Sequence, residues 1–252
     1  MTKVIAILNQ KGGVGKTTTA INTAAYLAKS GKTVLLVDFD PQGNATSGLG
    51  LDKQKIDTTI LEVLFANSPI DKAIQETSLP GLFVLPANAN LASAEVDLVD
   101  KPQRELYLRK ALQGLTYDFI IIDCPPALGL LTLNALSAAD NLLIPVQAEY
   151  YALEGLSQLL SVVQRVRQGL NTNLELLGVV ITMFDSRTSL AEQVHDELKK
   201  YFADKLFATI IPRNVRLAEA PSFGKAIVEH DKWSKGARVY KQFTKELLKR
   251  VE

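Results

Sequence analysis

The chain has 252 residues, a net charge of +1, 47% hydrophobic and 22% charged residues, and one cysteine. This composition is typical of a globular protein with a large core and excludes a disordered chain. The longest apolar runs are too short to cross a bilayer. A single cysteine excludes a disulfide framework or a multi-cysteine metal site within one chain, so we expect a reducing, cytoplasmic location.

Charge is distributed unevenly along the chain. Residues 187–252 contain 14 Lys/Arg and 9 Asp/Glu, a balance of +5, whereas residues 1–186 contain 14 and 18, a balance of −4. A basic C-terminal part is a hint, and no more, of nucleic-acid binding, because such binding depends on local patches of charge. The alternative is that these lysines and arginines only solvate helix faces.

Apolar runs alternate with helix-length segments along the whole chain. The first run enters a loop at Asn9, which predicts a first strand and no signal peptide. Continuous apolar runs are typical of parallel strands that are covered on both faces. In chain order we predict strand Val4–Leu8, helix Thr17–Ser30, strand Val34–Val37, helix Thr59–Ala66, strand Leu82–Leu85, helix Gln103–Gln113, strand Phe119–Ile122, helix Leu128–Ala138, strand Leu142–Val146, helix Leu153–Gln168, strand Leu177–Thr182, helix Leu190–Phe202, strand Phe207–Ile211 and helix Ala237–Val251. This order predicts one domain, residues 1–252, with a doubly wound α/β sheet that is mostly parallel.

A glycine-rich loop lies between the first strand and the first helix. It reads Lys11-Gly12-Gly13-Val14-Gly15-Lys16-Thr17-Thr18. Glycines let successive N–H groups point at a phosphate, and the helix that follows adds its positive end. Lys16 is placed to contact the β- and γ-phosphates and the Thr17 hydroxyl to bind Mg²⁺. The usual pattern has glycine at the position of Gln10, so this is a deviant P-loop.

Carboxylates follow two other predicted strands. Asp123 ends an apolar strand and is placed to hold Mg²⁺, directly or through a water, as the Walker B acid of ATP-hydrolysing proteins does. Asp40 follows another strand and could orient the attacking water. Asp38 fits a catalytic carboxylate and a structural hydrogen-bond acceptor equally well. The loop that continues from them is rich in turn residues: Pro41, Gln42, Gly43 and Asn44.

In combination these stretches resemble a known family. The loop 11–18, residues 38–44, Asp123-Cys124-Pro125-Pro126, residues 46–50 and residues 211–221 are similar to the ParA/Soj partition ATPases, in the MinD/ParA class of deviant Walker proteins. The resemblance covers essentially the whole chain. It implies a deviant P-loop NTPase fold and ATP hydrolysis with ATP and Mg²⁺ as cofactors.

The resemblance also implies a role for individual residues. Lys11 corresponds to the signature lysine that crosses an ATP-sandwich dimer, and Asp40 to the residue that positions the water. Thr18 is expected at the α-phosphate. Residues 38–44 correspond to switch I, and residues 123–128, with Pro125 and Pro126, to switch II. The remaining positions are expected at the adenine and ribose, namely Met183, Pro212 and Asn214, and at DNA, namely Arg187 and Arg216.

The family cycle gives the expected partners. ATP drives a homodimer, the dimer binds double-stranded DNA without sequence preference, and a ParB-type protein stimulates slow hydrolysis and release. The protein would then be cytoplasmic and nucleoid-associated. Because the chain starts almost at its first strand, we expect no N-terminal helix-turn-helix extension and no operator-specific repression.

Three alternatives compete with this interpretation. A MinD-like membrane-cycling ATPase needs a free amphipathic tail; residues 243–252 are amphipathic and basic, but their acidic end and the lack of a spacer favour a packed helix. An iron–sulfur relative needs more cysteines than Cys124. A non-catalytic nucleotide-binding module is disfavoured because the catalytic set is complete. Three other features are expected to have structural roles only, namely a solvated His195, a His230 in a charged loop and a Tyr150-Tyr151 pair at a helix start.

Overall fold

The structure is a computed structural model that describes residues 2–149 and 152–251. The Tyr150-Tyr151 pair therefore lies outside the described residues. No helix in the described part is long and apolar enough to cross a membrane.

Within these residues seven strands form one sheet. They are β1 (Lys3–Ile7), β2 (Val34–Asp38), β3 (Gln75–Glu76), β4 (Leu82–Leu85), β5 (Phe119–Asp123), β6 (Asn141–Gln147) and β7 (Glu175–Thr182). The helices are α1 (Lys16–Lys29), α2 (Asn44–Gly48), α3 (Ile60–Leu64), α4 (Ile70–Ala73), α5 (Ala94–Asp97), α6 (Tyr107–Ala111), α7 (Leu130–Ala138), α8 (Ala152–Gly169), α9 (Ser189–Phe202), α10 (Val215–Glu219), α11 (Ile227–His230) and α12 (Lys235–Val251). Short 3₁₀ turns occupy Ala89–Ser93, Arg104–Leu106, Ala203–Lys205 and Ala220–Phe223.

The order of the strands is β3-β4-β2-β5-β1-β6-β7. All neighbouring pairs are parallel except β3 with β4, which is antiparallel at the edge. From β1 the chain first adds strands on one side of the sheet and later, with β6 and β7, on the other side. Because β2, β5 and β1 are parallel neighbours, their carboxyl ends lie side by side at this position. Such a position is where open α/β sheets bind ligands.

Both faces of the sheet are covered. In β1, Ile5 and Ile7 pack on the face that carries α1 and α12, while Ala6 and the following Leu8 pack on the opposite face with α7 and α8. All four residues have no exposed surface. Burial on two faces explains the continuous apolar runs, and the predicted doubly wound α/β fold is confirmed.

The predicted strand Phe207–Ile211 is wrong. The segment runs beside β7 and is joined to it and to the loop after it by the isolated bridges Val179–Leu206 and Phe184–Pro212 and by the bond from the Ile211 amide to the Ile181 carbonyl at 2.8 Å. In between, the Glu246 carboxylate on α12 accepts hydrogen bonds from the amides of Ala208 and Thr209, at 2.8 and 2.9 Å. These amides satisfy their hydrogen bonds on α12 and add no rung to the sheet.

Other differences lie at short elements. The predicted helix Gln103–Gln113 is a 3₁₀ turn followed by α6, and β3 with the short helices α2, α4, α5, α10 and α11 was not predicted. His230 was expected in a charged loop, but it ends α11 with only 13% of its side chain exposed and stacks on Phe223 at 4.7 Å between ring centroids.

Candidate nucleotide site

The glycine-rich loop joins β1 to α1 at the carboxyl edge of the sheet. Gly13 and Gly15 have positive φ angles of 74° and 84°, a conformation that glycine adopts without strain. Gly15 directly precedes α1, and no side chain caps that helix start. The Thr182 hydroxyl donates to the carbonyl of Val14 at 2.7 Å and so anchors the loop to the end of β7. Free helix N–H groups thus face the loop.

Lys16 is held inside this loop. It is 7% exposed, and its Nζ donates to the carbonyl of Lys11 at 3.2 Å. Burial lowers the pKa of Lys16, while the charges of Asp123 and Asp40 act in the opposite direction. The two carboxylates therefore favour the charged form of this buried lysine.

Asp123 and Asp38 end neighbouring strands at the same level. They are register partners of β5 and β2, and both side chains are fully buried. Neither oxygen of Asp123 accepts a hydrogen bond of good geometry from the described residues, but the Thr17 hydroxyl lies close enough to act against the rise of the Asp123 pKa. Burial first, and then the charge of Asp38, raises the pKa of Asp123 well above its usual value.

Asp38 is satisfied by the protein itself. Its Oδ2 accepts from the backbone N–H and from the hydroxyl of Thr46, both at 2.7 Å, and its Oδ1 accepts from the N–H of Asp40 at 3.3 Å. Burial raises the pKa of Asp38 to about 6, against the effect of the Thr46 hydrogen bonds. Of the two readings left open for Asp38, this geometry supports a structural acceptor.

Asp40 lies beyond the strand and faces the loop. It is 7% exposed, and its Oδ1 accepts from the N–H of Gln42 at 2.9 Å. Gly43 follows with a φ of 61°, and Asn44 begins α2. Pro41 separates Asp40 from Gln42 in the chain.

Most of the residues predicted at the phosphates line one cleft of about 340 Å³. Its lining includes Gly12, Gly13, Gly15, Lys16, Thr17, Thr18, Asp40, Gln42, Asn44 and Pro126. Val14 points into the core with 1% exposure, and Pro125 does not line the cleft.

A second cavity of about 220 Å³ adjoins the first and shares Gly15, Thr18 and Met183 with it. Its lining, which is mostly apolar, also contains Pro212 and the polar Asn214. The structure thus brings together the residues predicted at the adenine and ribose. The bridge between Phe184 and Pro212 joins the two loops. Met183 has a φ of 50°, which is strained for a non-glycine residue and is typical of a functional loop.

Lys11 is the exposed lysine of the loop, in contrast to the buried Lys16. Its Nζ forms an ion pair with Glu149 of the same chain, and the two side chains are 46% and 44% exposed. Glu149 was not predicted, because nothing in its local sequence distinguishes it from a solvated acid at a strand end.

Arg187 and Arg216 line neither cavity. Arg187 is paired with Asp185, at 2.6 Å between Nη2 and Oδ2, and its side chain is 86% exposed. Arg216 lies between two acids, with Glu219 at 2.9 Å and Asp231 at 3.7 Å.

Comparison with known proteins gives the family. A family model described as an AAA domain matches residues 2–176. The sporulation initiation inhibitor protein Soj of Bacillus subtilis strain 168 is 55% identical over 249 residues, 98% of each chain. The chromosome partitioning protein ParA of Myxococcus xanthus strain DK1622 is 56% identical over 250 residues, covering 98% of this chain and 88% of the other. The chain belongs to the Soj/ParA family of chromosome-partitioning ATPases.

Structural similarity agrees. The crystal structure of cobyrinic acid a,c-diamide synthase from Mycobacterium smegmatis with bound ADP and magnesium has a TM-score of 0.88 and 40% identity, covering 100% of this chain and 96% of the other. The resemblance to partition ATPases and the expectation of ATPase activity are thereby confirmed, and this partition ATPase has the fold of a nucleotide-binding protein.

Proposed function

We propose that this partition ATPase binds ATP with Mg²⁺ at the carboxyl edge of the sheet and uses hydrolysis to control a DNA-binding dimer. The observation that carries the proposal is the buried carboxylate of Asp123, which accepts no hydrogen bond of good geometry from the described residues and whose charge acts on the buried Lys16. Carboxylate and hydroxyl oxygens are the ligands that Mg²⁺ prefers. Asp123, through a water, and the Thr17 hydroxyl therefore fit this ion.

Each residue of the cleft has a task in hydrolysis. Lys16 and the loop N–H groups bind the β- and γ-phosphates, with Thr18 at the α-phosphate. Bound Mg²⁺ neutralises charge on the phosphate oxygens. Asp40 keeps one oxygen on the Gln42 amide and has its other oxygen for an attacking water. Residues 38–44 and 123–128, with Pro125 and Pro126, act as the two switch segments.

The second cavity accepts the base. Its apolar walls of Met183 and Pro212 suit the faces of adenine, and the Asn214 amide is a polar group of this cavity that can bind the ribose. Asn214 Oδ1 already accepts from the N–H of Leu217 at 3.2 Å, so its side chain is oriented and its NH₂ group remains for the nucleotide. A small number of placed polar groups in an apolar pocket is typical of ligand sites.

Dimerisation depends on Lys11. In a homodimer with ATP between the subunits, Lys11 would leave Glu149 for the nucleotide of the partner. Exposed ion pairs contribute about 1 kcal/mol or less, so this exchange costs little compared with a contact between a lysine and a triphosphate.

The dimer binds double-stranded DNA through Arg187 and Arg216. Contacts to phosphate carry no sequence information, so binding is not sequence-specific. Two copies of each arginine on one dimer double the counterion release, which makes DNA affinity depend on ATP. A ParB-type partner then stimulates hydrolysis and release, and the protein is cytoplasmic and nucleoid-associated.

The packing of α12 disfavours the membrane alternative. Phe243 and Leu247 form the apolar face of this helix and have no exposed surface, since they pack with α1 against the sheet. A helix whose apolar face is already in the core has none to insert into lipid.

One experiment tests the cycle. Asp40→Ala should form an ATP dimer that stays on DNA without turnover, and Lys11→Ala should bind ATP as a monomer. Light scattering and a salt titration of duplex binding, both with ATP, measure these states. A plot of the logarithm of the DNA-binding constant against the logarithm of the salt concentration has a slope set by the number of phosphate contacts. Arg187→Ala and Arg216→Ala should each lower the magnitude of this slope by about one to two units per dimer. If both arginine variants bind DNA like the unmodified protein, the DNA assignment fails while the ATPase assignment stands.

A further inference from the structure

Thr46 lies next to the candidate site without touching the cleft. It is in α2, directly after the loop that carries Asp40, and it is fully buried. The family resemblance places no role on it, and it lines neither of the two cavities.

Every polar group of Thr46 is engaged with a fixed partner. Its hydroxyl and its backbone N–H both donate to Asp38 Oδ2 at 2.7 Å. The hydroxyl oxygen also accepts from the backbone N–H of Ala87 at 3.0 Å. One side chain thus joins the end of β2, the segment that follows β4 and the start of α2.

A second contact closes the same loop onto Ala87. A Cβ atom at Gly43 would lie 2.6 Å from the carbonyl oxygen of Ala87 and 2.9 Å from Cδ of Lys53. The backbone therefore approaches Ala87 more closely than any other residue would allow. Residues 38 to 46 form a closed loop that is fastened at both ends.

Asp40 is the acid that this loop presents to the cleft. Its backbone N–H donates to Asp38 Oδ1, the oxygen that Thr46 does not occupy. Thr46 orients the Asp38 carboxylate through Oδ2, and Asp38 orients the backbone of Asp40 through Oδ1. A catalytic group must be held within a fraction of an ångström to orient a water.

We propose that Thr46 is a positioning residue for ATP hydrolysis, which acts through Asp38 on the carboxylate of Asp40. The inference rests on the proposed role of Asp40 in orienting the attacking water. Thr46 lines neither of the two cavities, so it acts on the chemical step and leaves ATP binding unchanged.

The test compares Thr46→Val, which keeps the shape and removes the hydroxyl, with Thr46→Ser, which keeps the hydroxyl. We expect kcat for Thr46→Val to fall by about 10- to 100-fold with KM for ATP nearly unchanged, and Thr46→Ser to restore most of the rate. Ser47→Ala is the matched control, because the Ser47 hydroxyl in the same helix donates to the Gly43 carbonyl at 3.1 Å and does not touch Asp38. Its rate should stay within about twofold.

Further variants separate this inference from the role of Asp40. If Thr46 acts through Asp40, the double variant Asp40→Ala with Thr46→Val is no slower than Asp40→Ala alone. If Asp40→Ala lowers hydrolysis and Thr46→Val does not, the inference is overturned and the role of Asp40 stands. If Asp40→Ala hydrolyses ATP normally, the proposed role of Asp40 itself fails. Should Thr46→Val not fold, Thr46→Ala gives the same readout, and a parallel loss of rate and ATP affinity in it would show a structural role only.

Discussion

Two regions of this partition ATPase hold their charges in opposite ways. At the carboxyl ends of the strands, Lys16, Asp38, Asp40 and Asp123 are each at most 7% exposed. On the C-terminal surface, the side chains of Arg187 and Arg216 are 86% and 57% exposed. A buried charge is costly unless it is paired or hydrogen-bonded. A buried carboxylate without such a partner therefore indicates a ligand site. Exposed pairs cost and contribute little.

The difference extends to the partners of each group. Asp123 accepts no hydrogen bond of good geometry from the described residues, whereas both arginines already have a carboxylate in contact. The first arrangement is typical of a ligand site, and the second is typical of a solvated surface. Substitutions in the first region should have large effects and substitutions in the second region small ones.

The largest effect should follow Lys16→Ala. This change removes the buried cation from a site that must hold a polyphosphate beside two carboxylates, so ATP affinity should fall by about 100-fold or more. Isothermal titration with ATP and Mg²⁺ measures it. Lys53→Ala is the control, because Lys53 contacts the Gln42 carbonyl from the exposed side of the neighbouring loop 38–46. Equal affinities for the two variants would contradict the phosphate assignment.

The next effect separates the two register partners. Asp123→Asn should lower Mg²⁺-dependent hydrolysis by about 100-fold and leave thermal stability unchanged or higher, because it removes a buried charge without a well-placed donor. Asp38→Asn should also lower hydrolysis, through the position of Asp40, but unlike Asp123→Asn it should lower stability by about 1–3 kcal/mol, because the amide cannot accept from all three donors. Thermal unfolding and hydrolysis assays on both variants give the comparison. If the two variants have the same thermal stability, the hydrogen bonds that Asp38 accepts do not distinguish it from Asp123.

A pH effect of intermediate size should come from the same carboxylates. Burial raises the pKa of Asp38 from 3.8 to about 6. Between these values the folded protein binds more protons than the unfolded chain, so the free energy of unfolding should fall as the pH rises from about 4 to about 6. The fall should be at most about 3 kcal/mol without nucleotide. Asp123 shifts in the same direction, so Asp123→Asn should make the slope shallower. Denaturant unfolding at several pH values checks the sign, and a rise of stability over this range would contradict it.

The contrast also explains what could be predicted from sequence. Burial on both faces of the sheet produces apolar runs, and these predicted six of the seven strands. The run 207–211 was predicted by the same criterion, but the amides of Ala208 and Thr209 at its centre bind Glu246, a residue 37 or 38 positions away. Local patterns carry no information on such a partner.

The candidate site shows the same limit. The loop 11–18 was predicted because its chemistry is contained in eight consecutive residues. Asp38 and Asp123 both follow apolar runs and look alike in sequence, and only the tertiary contacts of Thr46 distinguish them. Glu149, which follows β6, and Thr182, at the end of β7, contact the loop from positions far along the chain and were missed for the same reason. The roles of the residues at the nucleotide and at DNA stay predictions.

The smallest effect should come from releasing Arg216. Glu219 holds this arginine by an exposed pair three residues apart, at 2.9 Å. Glu219→Gln should remove the nearer of the two acids at the guanidinium and leave Asp231 at 3.7 Å. Affinity for any duplex should then rise by about two- to fivefold, in line with the small energy of an exposed pair. Asp52→Asn is the matched control, since it breaks an exposed pair of the same spacing with Lys55, outside the basic C-terminal region, and changes the net charge equally. Duplex binding with ATP at low salt measures both variants, and the gain should vanish at high salt because such charges are screened. If Asp52→Asn raises affinity as much as Glu219→Gln, the gain reflects net charge alone, and Arg216 then has no special place on the DNA surface.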